Sequence, residues 1–188
     1  MIYSVMLTGV APGSFYQRGA DGQRRRAHFD GLPVGFVAEA VTALGAEAKE
    51  GFTTYHVMNT HDDGIGIDEY VDWLIEAGYP IERVEDFGEW VHRFHAGLLA
   101  LPEKQRQNTV LQMLAMLLRS AADVQAMEPT VGAAVPTERF RAAVQAAHIG
   151  ADGDIPHVTP AVITKYVTDL QMLGLLPSAE ETLPALPL

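Results

Sequence analysis

The strand signals in this chain are few and lie in its first half, which limits the folds open to it more than any other feature. The run Phe52-Thr53-Thr54-Tyr55-His56-Val57-Met58 is rich in aromatic and β-branched residues and predicts a strand. Ser14-Phe15-Tyr16 and the segment from Pro80 to Val84 are shorter candidates. From Asp86 onward the periodic segments have helical spacing. Two or three strands without matched partners do not close a sheet. They read as a piece of an α/β sheet followed by a helical region.

The helices announce themselves by apolar stripes and stop signals. Residues 2–8 are apolar and run into Gly9 and then Ala11-Pro12-Gly13, a strong stop, as at the end of a helix whose beginning is missing. A helix is expected over 34–44 with Val34, Val37, Val41 and Leu44 on one face and Gly45 as its end. Another is expected over 67–77, with Ile67, Tyr70, Val71, Leu74 and Ile75 inward and Gly78 closing it. Phe87, Trp90, Val91, Phe94 and Leu98 form a third stripe, interrupted by Pro102. Segments 104–120, 137–147 and 160–173 complete the set. The last opens on Thr159-Pro160, a cap followed by a proline at the first helical position, and carries Val162, Ile163, Tyr166, Val167, Leu170 and Leu173 inward. Residues 121–135 have no period and contain Pro129 and Gly132, a candidate linker.

Composition narrows the function classes. The 188 residues contain no cysteine, which removes disulfides, thiolate catalysis and thiolate-bound metals and suits a reducing cytoplasm. A formal net charge of -11 disfavours nucleic acid and anionic membrane surfaces as partners. No apolar run approaches the ~20 residues of a membrane span, and the N-terminus lacks the basic start of a signal peptide. The one basic run, Arg24-Arg25-Arg26, sits between Asp21 and Asp30 and reads as a solvated turn flank.

Motif chemistry is sparse. The turn Asn59-Thr60-His61-Asp62-Asp63-Gly64 begins like a calcium loop, but its twelfth position is Tyr70 where a bidentate carboxylate is required. Glu89, His92 and His95 recur every third residue but flank the apolar stripe, so they read as solvated side chains, not metal ligands. There is no Gly-x-Ser-x-Gly, no Gly-x-Gly-x-x-Gly and no Walker sequence. The residues four beyond the six tyrosines are Leu7, Ala20, Asn59, Leu74, Arg83 and Leu170, so no Tyr-x-x-x-Lys pair exists. No catalytic, cofactor-binding or metal-binding residue is expected within the chain.

Three segments carry a resemblance. They are Leu7-Thr8-Gly9-Val10-Ala11-Pro12-Gly13-Ser14-Phe15-Tyr16, then His28-Phe29-Asp30-Gly31-Leu32-Pro33-Val34-Gly35-Phe36-Val37-Ala38-Glu39-Ala40, and Tyr55-His56-Val57-Met58-Asn59 with residues 62–74. With residues 154–160 and 165–170, they resemble the C-terminal part of the thioester-reductase domain of bacterial carboxylic acid reductases, of the extended short-chain dehydrogenase type. The likeness runs to about Leu176.

It implies an α/β, Rossmann-like domain of which this chain is the mostly helical, substrate-binding portion with few strands: residues 1–176, mixed α/β over 1–85 and helical over 86–176, then a flexible tail at 177–188. It further implies NADPH-dependent reduction of a phosphopantetheine-bound acyl thioester to an aldehyde. The glycine-rich NADPH loop and the Tyr-x-x-x-Lys pair lie upstream of the matched region in that family, so this chain is expected to be inactive alone. Its implied partners are a phosphopantetheine carrier domain and the missing N-terminal Rossmann half. By the same resemblance His28, Phe29, Asp30 and Pro33 would form a wall of the substrate pocket, where a strand end and a helix start offer a rigid backbone. The alternatives are a non-catalytic helical docking module for a carrier or other partner, and a gene remnant without function.

Overall fold

The computed structural model describes residues 1–47, 51–114 and 125–177. These divide into two compact units that interleave along the chain. Unit 1 comprises Met1–Arg25, Ile67–Glu128 and Ile163–Leu188, and unit 2 comprises Arg26–Gly66 and Pro129–Val162. The change at Glu128/Pro129 falls inside the stretch that lacks periodicity. Among the described residues no helix is long and apolar enough to cross a membrane.

Unit 1 is built on a two-stranded parallel sheet. Helix α1 (Ile2–Thr8) ends at Gly9, whose left-handed backbone (φ 67) lets its N–H close back onto the Val5 carbonyl. The chain passes at once into strand β1 (Val10–Pro12), wholly buried, which pairs in parallel with β2 (Glu82–Val84). The stop expected at 9–13 therefore ends a helix but starts a strand, because a single left-handed glycine reverses the chain without a longer loop. Ser14–Tyr16 makes only an isolated parallel bridge, between Tyr16 and Met127.

Helix α3 (Ile67–Glu76) buries Ile67, Tyr70, Val71 and Leu74, as its stripe predicts. Helix α4 (Phe87–Ala100) buries Trp90, Val91, Phe94 and Leu98 and packs on β1 and α1. Its start is fixed by Asp86, whose carboxylate accepts the Glu89 N–H at 2.7 Å. Phe15 meets Trp90 edge-on at 5.5 Å, giving the unit an aromatic centre. The single helix expected over 104–120 is instead a short turn of helix, α5 (Glu103–Arg106), then turns, then helix again at 111–114; residues 115–120 lie outside those described. Thr109 and Asn108 return hydrogen bonds to the preceding carbonyls there and break the period.

Unit 2 packs helix α2 (Val34–Glu47) against helix α6 (Glu138–Ala146). Two corrections fall on α2. It continues through Gly45, and its buried face is Phe36 and Ala40, with Ala43 and Leu44 packed beside them. Val34 is 84% exposed and Val41 61%. An apolar helix with two possible stripes gives no strong preference by pattern alone, and the larger Phe36 takes the core.

The segment 52–58 is not a strand: it is extended, without a ladder among the described residues, and Phe52 is 94% exposed. Tyr55 turns inward, onto Phe140 at 6.4 Å, while Nδ1 of His56 donates to the Pro136 carbonyl at 2.9 Å. Its β-forming residues had no neighbouring strand to pair with, and propensity without a partner does not make a sheet. Phe36, Phe140, Val144, Ile149 and Ile155 complete this core.

Helix α7 (Pro160–Met172) buries Ile163 and Val167, whereas Tyr166 and Leu173, expected inward, are 47% and 72% exposed. The buried pair lies one turn apart, so only a narrow stripe of this helix is covered. The tail at 178–188 lies outside the described residues.

Candidate functional site

The four residues singled out as a pocket wall lie together in unit 2, on the segment leading into α2. They play unequal roles. His28 is buried, its side chain 1% exposed, and its Nε2 sits 3.1 Å from Oδ1 of Asp30. Its Nδ1 is enclosed without a protein partner, which places the ring proton on Nε2, donating to Asp30. The backbone N–H of His28 donates to the Thr130 carbonyl at 2.9 Å. His28 is thus a buried prop. Phe29 is 40% exposed, and Asp30 and Pro33 are half-buried. Pro33 immediately precedes α2, and its carbonyl accepts the N–H of Val37 at 3.1 Å.

This segment is held from below by the turn that began like a calcium loop. Asn59, 1% exposed, donates its backbone N–H to the Asp30 carbonyl at 3.1 Å and its side-chain Nδ2 to the Phe29 carbonyl at 3.4 Å. Its Oδ1 accepts the His61 N–H at 3.0 Å. His61 in turn donates from Nε2 to the Ile155 carbonyl at 2.8 Å and stacks on His157 at 3.6 Å between ring centres. Nδ1 of His157 donates to Asp63 at 2.9 Å. Burial by itself would raise the Asp63 carboxyl, but the hydrogen bonds from His157 and the Ile65 N–H outweigh it and hold the group below its ordinary value. The sequence reading set this turn aside with the calcium pattern. Its signal was an asparagine followed by a histidine two residues later, beside the wall segment only in three dimensions.

A groove of about 460 Å³ opens in the same unit, between α2 and the extended segment. Ala40, Val41 and Leu44 line one side, Tyr55 and Val57 the other, and Phe140 the floor, with Thr53 and Glu47 as polar members. Its size and mostly apolar lining suit an organic group rather than an ion. None of His28, Phe29, Asp30 and Pro33 lines it.

Other charged groups are engaged internally. Arg24 binds the Gly13 carbonyl and Asp72, Arg25 binds Glu128, and Arg26 binds the Asp62 carbonyl. With those arginines committed and no glycine fingerprint before a helix, the described residues do not fit a dinucleotide phosphate. On α4 Glu89 lies 3.8 Å from Arg93 and His92 is exposed, and no described cluster of three or more ligating side chains is spaced for a metal.

Asp154 is clasped by Arg141 at 2.6 Å, and this hydrogen bond, opposed by burial and helped by the Ile155 N–H and Gln145, holds its carboxyl well below the usual carboxylate range. Its contribution is therefore complete above the unfolded carboxylate pKa of about 3.9 and lost as pH falls below it. An acid titration followed by circular dichroism should show Asp154→Asn less stable than the parent at neutral pH, the gap closing as the solution is acidified. A constant gap would contradict the assignment.

No family model matches the chain. Individual proteins do. The isonitrile lipopeptide synthase of Mycobacterium tuberculosis is 58% identical over 183 residues, which span 94% of this chain and 7% of that protein. A carboxylic acid reductase of Mycobacterium marinum is 56% identical over 176 residues, again 94% of this chain and 14% of the relative. A carboxylic acid reductase of M. tuberculosis is 51% identical over 180 residues and 15% of its length. The crystal structure of the reductase (R) domain of a nonribosomal peptide synthetase from M. tuberculosis superposes with a TM-score of 0.81 at 58% identity, covering 94% of this chain and 40% of that one. A small fraction of each relative is thus matched by nearly all of this chain. By sequence and by fold together, nearly the whole of this chain corresponds to a part of carboxylic acid reductases and of a nonribosomal peptide synthetase reductase (R) domain.

Proposed function

We propose that this chain supplies the substrate-side region of a cytoplasmic, NADPH-dependent reductase of the extended short-chain dehydrogenase type. That reductase would convert a phosphopantetheine-bound acyl thioester to an aldehyde. The observation that carries the reading is identity of 51–58% across 94% of the chain to proteins named as carboxylic acid reductases and a lipopeptide synthase. The parallel pair β1–β2 supports it, because parallel sheets are built large and covered on both faces, and two three-residue strands are an increment of one.

In this reading the cofactor and the proton-donating pair belong to the rest of the domain, and the chain does not turn over substrate by itself. Phe29 and Asp30 form wall positions facing the thioester, His28 and Pro33 support them, and the apolar groove of unit 2 takes the acyl group. The phosphopantetheine arrives on a carrier domain.

Titrating the isotope-labelled chain with S-octanoyl pantetheine tests this. Saturable shifts are expected at residues 28–33 and at Val41, Tyr55 and Val57. Shifts confined to unit 1, or none, would contradict it. So would hydride transfer from NADPH to the thioester by this chain alone.

A further inference from the structure

We propose that Asn59 is a positioning residue for the wall segment, setting where Phe29 and Asp30 present their side chains. The inference rests on the proposed substrate-side role of that segment. Asn59 is 1% exposed, so it does not meet a ligand directly. Its side-chain amide and its backbone N–H go to two consecutive carbonyls, those of Phe29 and Asp30, two wall residues whose side chains reach outward. Turning both carbonyls inward fixes the backbone that aims the side chains.

The chemistry requires an amide. Nδ2 must donate to the Phe29 carbonyl while Oδ1 accepts the His61 N–H. An ionised carboxylate of the same shape accepts only, and would set an oxygen against the Phe29 carbonyl. A longer amide would displace a fully enclosed side chain. Asn59 is itself held from the other side: His61 is pinned by the Ile155 carbonyl and by the face of His157, and His157 by Asp63. The wall is therefore set through Asn59 by a chain of contacts that ends on residues 155–157.

The experiment compares Asn59→Ala, Asn59→Asp and Val144→Ala in the full chain. Val144 is fully buried in the apolar core of unit 2 and its side chain has no hydrogen-bonding group, so its truncation lowers the stability of unit 2 without releasing those carbonyls. Each variant is titrated with S-octanoyl pantetheine, and amide exchange is recorded at Asn59 and His61. Both Asn59 variants are expected to weaken thioester binding tenfold or more, while Val144→Ala leaves it within about twofold.

Equal losses in Val144→Ala and Asn59→Ala would overturn the proposal, since stability alone would then explain them. If the Asn59 variants do not fold, the parent chain still decides: fast exchange at Asn59 and His61 overturns the clamp, and strong protection supports it. Absence of thioester binding by the parent chain would sink the substrate-side reading, and the present inference with it; binding that ignores Asn59 would sink this inference alone.

Discussion

Replacing Phe140 with alanine is expected to destabilise unit 2 by about 3–5 kcal/mol, the range for emptying a buried aromatic site. Phe140 is 1% exposed, lies edge-on to Phe36 at 6.4 Å, supports Tyr55 at the same distance, and forms the floor of the groove. Domains are stable by only about 5–15 kcal/mol in all, so a loss of this size consumes much of the margin. Urea unfolding followed by amide resonances of α2 and α6 measures it. A cost under about 1 kcal/mol would mean that Phe140 is not the keystone of this core.

In unit 1 the largest effect is expected at Asp68. Its carboxylate accepts the Ser14 hydroxyl at 2.6 Å and the Phe15 N–H at 2.8 Å, and Arg83 lies 3.6 Å away. The residue is 2% exposed, and Arg83 is also bonded to the Asp68 and Pro12 carbonyls. Asp68→Ala strands the buried Phe15 N–H, while the Ser14 hydroxyl keeps the Tyr16 carbonyl and Arg83 keeps Asp72, so the expected cost is about 1–3 kcal/mol, that of an unsatisfied buried donor. Trp73 and Trp90 both belong to unit 1, so tryptophan fluorescence during denaturation reads the change. Asp68→Asn keeps the shape and one acceptor and is expected to lose less. Equal stability of Asp68→Ala and the parent would refute the role.

Asp68 also shows where sequence reasoning stops. As an acid in the first turn of α3 it was legible as a helix-end charge, which explains an exposed position. Nothing local told that Ser14 and Phe15, more than fifty positions earlier, would close over it. The stripes of α3 and α4 were legible because polar residues alternate with apolar ones at helical spacing, which fixes the buried face. Helix α2 lacked that contrast, so its face was misread.

Strand β1 was hidden by the same residues, Gly9 and Pro12, that announced a stop. The segment 52–58 had strand composition but no strand to meet. Of the candidate site, the resemblance pointed to the segment 28–33, whereas Asn59 and the His61–His157 stack depend on contacts between residues 29 to 96 positions apart. The interleaving of the two units has the same origin, in pairings such as Tyr16 with Met127 and His28 with Thr130.

We propose that this chain completes a reductase whose cofactor chemistry lies elsewhere in the domain. The most direct measurement exchanges the matched segment of the M. marinum carboxylic acid reductase for this chain and follows aldehyde formation from an acyl thioester with NADPH. The chimera is expected to form aldehyde, while the same reductase without the segment does not. A folded chimera that binds NADPH but leaves the thioester intact would contradict it.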